Sequence, residues 1–384
     1  MTSPAASGSH AHRVIFIDLA RALAVVFMLY GHTIDALLSP DYRVGTWYSV
    51  WLFQRGLTSS LFLLLSGFAF SIATSRHWAL HLHFSPAFWA RTRRFVVLIL
   101  LGYGLHFPMG RFIDLPWASA PQWTSFLAVD ILQLIGVTFI GVQVLAMATR
   151  SRHVFAASAL VLMAVIVAVS PLAWSADWAG WLPRGVAAYL YPLQGTLLPL
   201  FPLFPWSAFI LFGVGLGQVY ARWESARLGT YANVVLLAPG LLLLLLSELL
   251  RVPPASVWWT GIGSTIPMEF AMRAGSCLVI MAAIAHASRW VTRLPHVFRA
   301  VAQETLVIYF VHLCLVYGSV WSPGLWQFYQ QSLGPMATAA FVLLIVGSMV
   351  ALAWYWNGLK HTRPVAAMWT ARAAWAFLLG GLLV

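Results

Sequence analysis

Charged residues are scarce in this chain of 384 residues. Asp, Glu, Lys and Arg together make up 8% of the sequence, whereas a soluble domain carries about 25%. Hydrophobic residues supply 61%. This composition excludes an ordinary soluble domain. It predicts an all-α polytopic membrane protein whose helices cross the bilayer many times, with membrane lipids as its surroundings.

The basic residues are almost all arginine. The formal net charge is +12, and the sequence contains a single lysine, Lys360. The arginines are dispersed among hydrophobic runs rather than gathered in one patch. They therefore favour orientation in a membrane over a nucleic-acid-binding groove, and we expect no nucleic-acid partner.

Cysteines and sets of metal ligands are scarce too. Cys277 and Cys314 both fall in hydrophobic runs, so we expect reduced packing residues rather than a disulfide. The loop histidines His77, His81 and His83 have no matching set of carboxylates or cysteines. We therefore expect no metal site.

Hydrophobic runs long enough to cross a bilayer can be placed about eleven times. The third run is short and the last is interrupted by Arg372, so ten spans remain an alternative. Residues 1–13 are small and polar and predict a disordered tail, which leaves 14–384 as one transmembrane domain. The predicted spans are 14–37, 50–74, 94–109, 123–148, 153–172, 198–221, 231–250, 267–287, 299–319, 336–357 and 365–384.

Basic residues in the loops alternate between the two sides of this arrangement. An N-terminus in the cytoplasm gives a strong positive-inside bias. The cytoplasmic segments then hold Arg13, Arg76, Arg91, Arg93, Arg94, Arg150, Arg152, Arg222, Arg227, Arg289, Arg293, Arg299, Lys360 and Arg363. The outer segments hold only Arg43, Arg111, Arg184 and Arg251. The sequence thus predicts a bundle of about 11 (10–11) helices with a cytoplasmic N-terminus.

Four polar residues form one stripe on the first span: Asp18, Arg21, His32 and Asp35. A helix turns about 100° per residue, so the eleven steps from Arg21 to His32 return within about 20° of the start. The same steps separate the two residues by about 16 Å along the axis. Ionisable groups inside a bilayer usually mark a site or pathway. The stripe therefore predicts the wall of an active site.

Each pair in the stripe has a structural alternative. His32 and Asp35 lie one turn apart, so the carboxylate can orient the imidazole as a general base, or the histidine can simply cap a helix end. Asp18 can merely neutralise Arg21, or Arg21 can contact a ligand phosphate or stabilise a thioester carbonyl as charge develops. Spacing alone leaves both choices open.

Other polar clusters carry similar alternatives. Arg91 and Arg94, at the start of the third span, can clamp the phosphates of a donor such as coenzyme A or anchor the helix at lipid headgroups. Tyr309 and His312 share a helix face as a site or as packing. Glu269 and Arg273 form an i,i+4 pair. The alternating glycines of Phe212–Gly217 indicate close helix packing. Ser85-Pro86 predicts a helix start.

Several motifs resemble those of known membrane acyltransferases. Arg21-x10-His32, preceded by Ile17–Ala20 (IDLA), resembles the first-helix signature of the acyltransferase-3 family. Phe62–Phe68 (FLLLSGF) is similar to the second-helix motif of that superfamily, and Arg91–Arg94 fits its basic cytoplasmic pattern. Ala22 stands where the superfamily usually has glycine, and this replacement is small enough that the expected site is kept.

Three further stretches resemble the related heparan-α-glucosaminide N-acetyltransferase-like branch, which also has about eleven spans. They are Asp130–Gly136 (DILQLIG), Phe201–Trp206 (FPLFPW) and Glu304–His312 (ETLVIYFVH). The resemblance implies transfer of an acyl group, usually acetyl, from cytosolic acyl-CoA to a hydroxyl or amino group. The acceptor is often a glycan at the far membrane face.

Residue patterns and resemblance together give the expected site. His32 and Asp35 are expected to be catalytic. Arg21, Arg91, Arg94 and Ser66 are expected to bind acyl-CoA (acetyl-CoA). The acceptor is expected to meet Glu269, Arg273, Tyr309, His312, Asp130 and Gln133. We expect a membrane acyltransferase of a bacterial inner membrane, with a transporter or flippase of a polar lipid or glycan, or a scaffold, as the competing classes.

Overall fold

The computed structural model describes residues 14–193, 200–223, 227–251, 266–291 and 293–383. Every named element in these ranges is helical. The α-helices are α1 Ile15–Leu37, α2 Gly45–Arg76, α3 Pro86–Leu105, α4 Ala120–Leu127, α5 Ile131–Thr149, α6 Arg152–Ser175, α7 Arg184–Ala187, α8 Leu203–Tyr220, α9 Leu228–Tyr231, α10 Ala238–Arg251, α11 Ile266–Ser288, α12 His296–Gln303, α13 Thr305–Val316, α14 Leu325–Tyr329, α15 Pro335–Thr362 and α16 Pro364–Leu383. A π-helical segment, Ala232–Leu237, joins α9 to α10.

Nine helical segments in the described ranges are long and apolar enough to cross a membrane, and the bent pair of α12 and α13 makes a tenth if it is one span. The expected all-α polytopic fold is confirmed. The expected N-terminal tail and part of the expected sixth span lie outside the described residues. Helix α3 begins as predicted, because Pro86 is its first residue and the Ser85 hydroxyl accepts a hydrogen bond from the Phe88 N–H at 3.1 Å.

Two spans were predicted as continuous helices, and both predictions were wrong. The span 123–148 is broken after Leu127, and Asp130 caps α5 by accepting the Ile131 N–H at 2.6 Å. The span 299–319 bends by 75° between α12 and α13. Glu304, at this bend, is buried and bonded to Lys360 and Asn357 of α15. Both breaks occur where a carboxylate takes polar partners that hydropathy alone does not register.

Glycines bring α2 and α8 into backbone contact. A Cβ on Gly67 would lie 2.0 Å from the Ile210 carbonyl oxygen, and one on Gly213 would lie 2.0 Å from the Leu64 carbonyl oxygen. Both separations are far below van der Waals contact. The glycine run in α8 is therefore a packing surface, as the sequence predicts.

Replacing Gly67 with alanine is expected to destabilise the protein by about 1–3 kcal/mol, because the added methyl group overpacks a backbone contact. The measurement is thermal unfolding in detergent, read as a lower midpoint. Gly141→Ala is the matched control, because nothing lies within 4 Å of a Cβ there. Equal midpoints for the two variants would contradict the close packing of α2 on α8.

Helices α1 and α13 set up the candidate site, because they run side by side in the same direction. Arg21 near the start of α1 meets Thr305 at the start of α13, and His32 near the end of α1 meets Tyr317 just beyond α13. The two ends of the polar stripe therefore face one helix at two different depths.

Candidate active site

A cavity of about 420 Å³ lies between α1, α2, α3, α5 and α13. Its polar lining includes Arg21, Ser66, Arg91 and Arg94. These four are the residues that the sequence assigns to donor binding. We call this space the arginine cavity.

The lining of the arginine cavity is cationic and aromatic. Its described residues include three arginines and no carboxylate. Phe70 and Phe139 stack at 4.8 Å between ring centroids, and the Arg91 guanidinium lies 5.0 Å from the Phe70 centroid. Arg91 also donates to the Thr74 hydroxyl at 2.7 Å. This chemistry suits an anion that carries an apolar chain.

The first turn of α13 adds to the positive character of the cavity. Thr305 and Leu306 line it, and Arg21 donates to the Thr305 hydroxyl at 3.4 Å. The N-cap residue Glu304 makes no side-chain bond to the free N–H groups of this turn. The positive end of the helix dipole thus faces the same space as the arginines.

His32 lies in a second group, the histidine cluster, formed by His32, Tyr309, His312 and Tyr317. His32 Nδ1 lies 3.1 Å from the Tyr317 hydroxyl, which also lies 3.4 Å from the His32 carbonyl oxygen. A hydroxyl can only donate to a carbonyl, so both contacts are satisfied when His32 Nδ1–H donates to Tyr317. This tautomer leaves a lone pair on His32 Nε2, the form that a general base requires.

His312 stands beside His32 with a ring-centroid separation of 5.4 Å. It is fully buried, and its Nδ1–H donates to the Ile308 carbonyl oxygen at 2.8 Å. Its Nε2 has no hydrogen-bond partner among the described residues. The cluster thus holds two imidazoles whose Nε2 atoms are both acceptors.

The structure corrects the predicted partner of His32. The Asp35 carboxylate does not orient the imidazole, because Asp35 Oδ2 binds Arg55 Nε at 2.8 Å and Tyr317 takes His32 Nδ1. Asp35 lies three residues beyond His32, so it turns toward α2 while His32 faces α13. The stripe on α1 therefore divides between two neighbouring helices.

Three of the expected acceptor-binding residues come together. The Tyr309 hydroxyl donates to Asp130 Oδ2 at 3.1 Å, and His106 Nε2 lies 3.3 Å from the same oxygen. The Tyr309 ring contacts the His312 ring at 5.7 Å and also lines the arginine cavity. Tyr309 thus joins the cavity to the histidine cluster.

The other expected acceptor residues lie elsewhere. Glu269 and Arg273 pair at 3.3 Å, as their spacing predicts, but Arg273 donates to the Gly56 carbonyl oxygen and lies over the Trp206 ring. Gln133 is buried against α3, where a Cβ on Gly102 would lie 2.2 Å from its Oε1. Within the described residues, no hydrogen bond, ion pair or ring contact joins either group to the histidine cluster.

The expected site residues did not include Arg55, Tyr317, Thr305 or His106, although Arg55 was predicted to lie near the outer end of its helix, at the depth of His32. Each comes from another element and meets its partner only through tertiary packing. Arg55 carried one signal, a charge within an apolar run at a depth similar to His32. The described residues contain no group of three His, Cys, Asp or Glu that could hold a metal.

Comparison with protein families gives one informative result. The family model described as heparan-alpha-glucosaminide N-acetyltransferase, catalytic, matches residues 13–244, which is more than half of the chain. Comparison with curated proteins and with solved structures gives no match. The matched range contains Arg21, His32, Asp35, Ser66, Arg91, Arg94, Asp130 and Gln133, whereas Glu269, Arg273, Tyr309 and His312 lie beyond it. The chain therefore belongs to the heparan-alpha-glucosaminide N-acetyltransferase family of membrane acetyltransferases.

Proposed function

We propose that this protein moves an acyl group, acetyl in the simplest case, from cytosolic acyl-CoA to an amino or hydroxyl group of a glycan or similar acceptor. The acceptor stands at the outer face of a bacterial cell membrane. One observation carries the proposal. The arginine cavity and the histidine cluster lie along the same helix, α1, and Tyr309 borders both. The loop arginines support the assignment of the two sides.

The arginine cavity suits the donor. Arg91 and Arg94 bind donor phosphates by charge-assisted hydrogen bonds, and the aromatic lining accepts the pantetheine arm. A volume of about 420 Å³ falls within the usual range of small-molecule sites, about 300–1,000 Å³. It is smaller than the whole donor requires, so the nucleotide end extends past the cationic mouth. Arg21 and Ser66 lie along the path of the arm.

The histidine cluster suits the transfer step. In the direct route, the acceptor nitrogen or oxygen attacks the thioester carbon while His32 Nε2 takes its proton. The C–S bond then breaks, and the CoA sulfur leaves with the proton that His32 returns. Tyr309, His312 and Asp130 hold the acceptor. The alternative is a covalent acyl-histidine, which would appear as acylated protein when donor is supplied without acceptor.

Replacing Tyr317 with phenylalanine is expected to lower kcat by up to about tenfold, because one hydrogen bond of about 0.5–1.5 kcal/mol no longer fixes the His32 tautomer. The KM for acetyl-CoA is expected to stay unchanged. The measurement is steady-state transfer by purified protein. Tyr355→Phe, at an exposed position on α15, is the matched control. A raised donor KM with normal kcat would contradict this role.

The proposed function is tested with purified protein, labelled acetyl-CoA and amino sugars or short oligosaccharides. Acetylated acceptor and stoichiometric free CoA are the expected products. The competing transporter function predicts flux of a glycolipid across vesicles without any CoA thioester. Flux without acyl transfer would overturn the proposal.

A further inference from the structure

Attack on the thioester places negative charge on its carbonyl oxygen, and this charge must be stabilised beside the carbon at which bonds form and break. The stabilising donor has to lie about 3 Å from that oxygen. Arg21 lies about 16 Å below His32 along α1, and its guanidinium is at the level of Thr305. Thr305 itself is seven residues below His312 on α13, about 10 Å along the axis. A carbonyl within reach of His32 is therefore out of reach of Arg21.

Arg55 is a cation at the level of His32, whereas nearby Arg43 donates to the Asp35 and Leu38 carbonyl oxygens. Its side chain crosses α1 at Gly31, where a Cβ would lie 2.7 Å from Arg55 Cδ and 2.9 Å from Nε. Only glycine leaves room for this crossing. The side chain is about four-fifths buried, with 19% exposed. Gly31 directly precedes His32 in α1, so this crossing brings the Arg55 side chain close to His32.

The Arg55 guanidinium is hydrogen-bonded through its Nε atom alone among the described residues. Asp35 Oδ2 accepts from Nε, and no described residue accepts from Nη1 or Nη2. Asp35 thus fixes the orientation of the group without using its two terminal nitrogens. Of the titratable groups nearby, Tyr30 bonds Gln54 and Tyr317 bonds His32. Two paired N–H donors remain for a ligand beside the histidine cluster.

We propose that Arg55, oriented by Asp35 and seated on Gly31, stabilises the oxyanion that forms on the donor carbonyl during transfer. The inference rests on the proposed function and adds a second catalytic residue to it. As the new bond to carbon forms, the C=O electron pair moves to oxygen, and the Arg55 Nη groups hold that negative charge. The pair returns when the C–S bond breaks. Asp35 acts as the positioning residue for Arg55.

The test compares Arg55→Gln and Arg55→Lys with the wild type in transfer from acetyl-CoA. Removing one oxyanion donor typically lowers kcat by about 10²–10³-fold. We expect that loss for Arg55→Gln with donor KM within threefold of the wild type, and a smaller loss for Arg55→Lys. Arg111→Gln is the matched control, since Arg111 is a largely exposed loop arginine. Its kcat is expected to be that of the wild type.

Two further measurements separate catalysis from folding. Added guanidinium ion is expected to restore part of the activity of Arg55→Ala, which loss of structure would not allow. Gly31→Ala keeps the charge but displaces it, and is expected to lower kcat while the unfolding midpoint changes little. A raised acceptor KM with normal kcat in Arg55→Gln, or kcat within threefold of the wild type, would overturn the inference while leaving acyl transfer intact. No transfer by the wild type would instead overturn the proposed function.

Discussion

Replacing His32 with alanine is expected to lower kcat for acyl transfer by about 10²–10⁴-fold, the usual contribution of a general base. The imidazole has a lone pair on Nε2 because Nδ1–H is engaged by Tyr317. No other described group contacts His32 in a way that could replace it, except His312 at 5.4 Å between centroids. His312 Nε2 has no hydrogen-bond partner among the described residues, so some residual rate is expected from it.

Donor binding by His32→Ala is expected to stay within a few-fold of the wild type, since His32 does not line the arginine cavity. The measurement is equilibrium binding of labelled CoA beside a transfer assay on the same preparation. His361→Ala, on the exposed end of α15, is the control. Full transfer activity in His32→Ala would contradict the catalytic role of this residue.

Neutralising Arg91 and Arg94 together is expected to raise the KM for acetyl-CoA by about 10²-fold or more, because hydrogen bonds to charged groups contribute about 1.5–3 kcal/mol each. The kcat at saturating donor is expected to change little, since these residues act on the bound ground state and the transition state alike. Arg91→Gln/Arg94→Gln is measured by steady-state kinetics at fixed ionic strength.

Arg93→Gln supplies a control from the same turn of α3. Arg93 is exposed and does not line the arginine cavity. An anchoring role at lipid headgroups would make all three arginines equivalent. Equal effects of Arg93→Gln and the double variant would therefore favour anchoring over donor binding.

The sequence predicted the local part of the site. Helical periodicity set Arg21 and His32 on one face of α1, and both meet α13 or its end. The i,i+4 rule also predicted the contact between Glu269 and Arg273. These predictions succeed because they need only the geometry of one helix.

Partners from distant segments could not be predicted. Asp35 pairs with Arg55 twenty residues later, and Tyr317 reaches His32 across 285 positions. The bend at Glu304 depends on Lys360 and Asn357 in α15. Hydropathy treats such residues as isolated charges, so it predicted unbroken spans where the structure has helix ends. These pairings depend on how the helices pack against one another, and the sequence read without the fold does not specify that packing.

The most direct test of the account is transfer across a sealed membrane. Purified protein is reconstituted in vesicles with labelled acetyl-CoA inside and an impermeant amino sugar outside. Transmembrane transfer is expected to give labelled acetyl-sugar outside the vesicles while CoA stays inside, and this product is expected to be lost in His32→Ala. Transfer that occurs only when donor and acceptor share one compartment would contradict it.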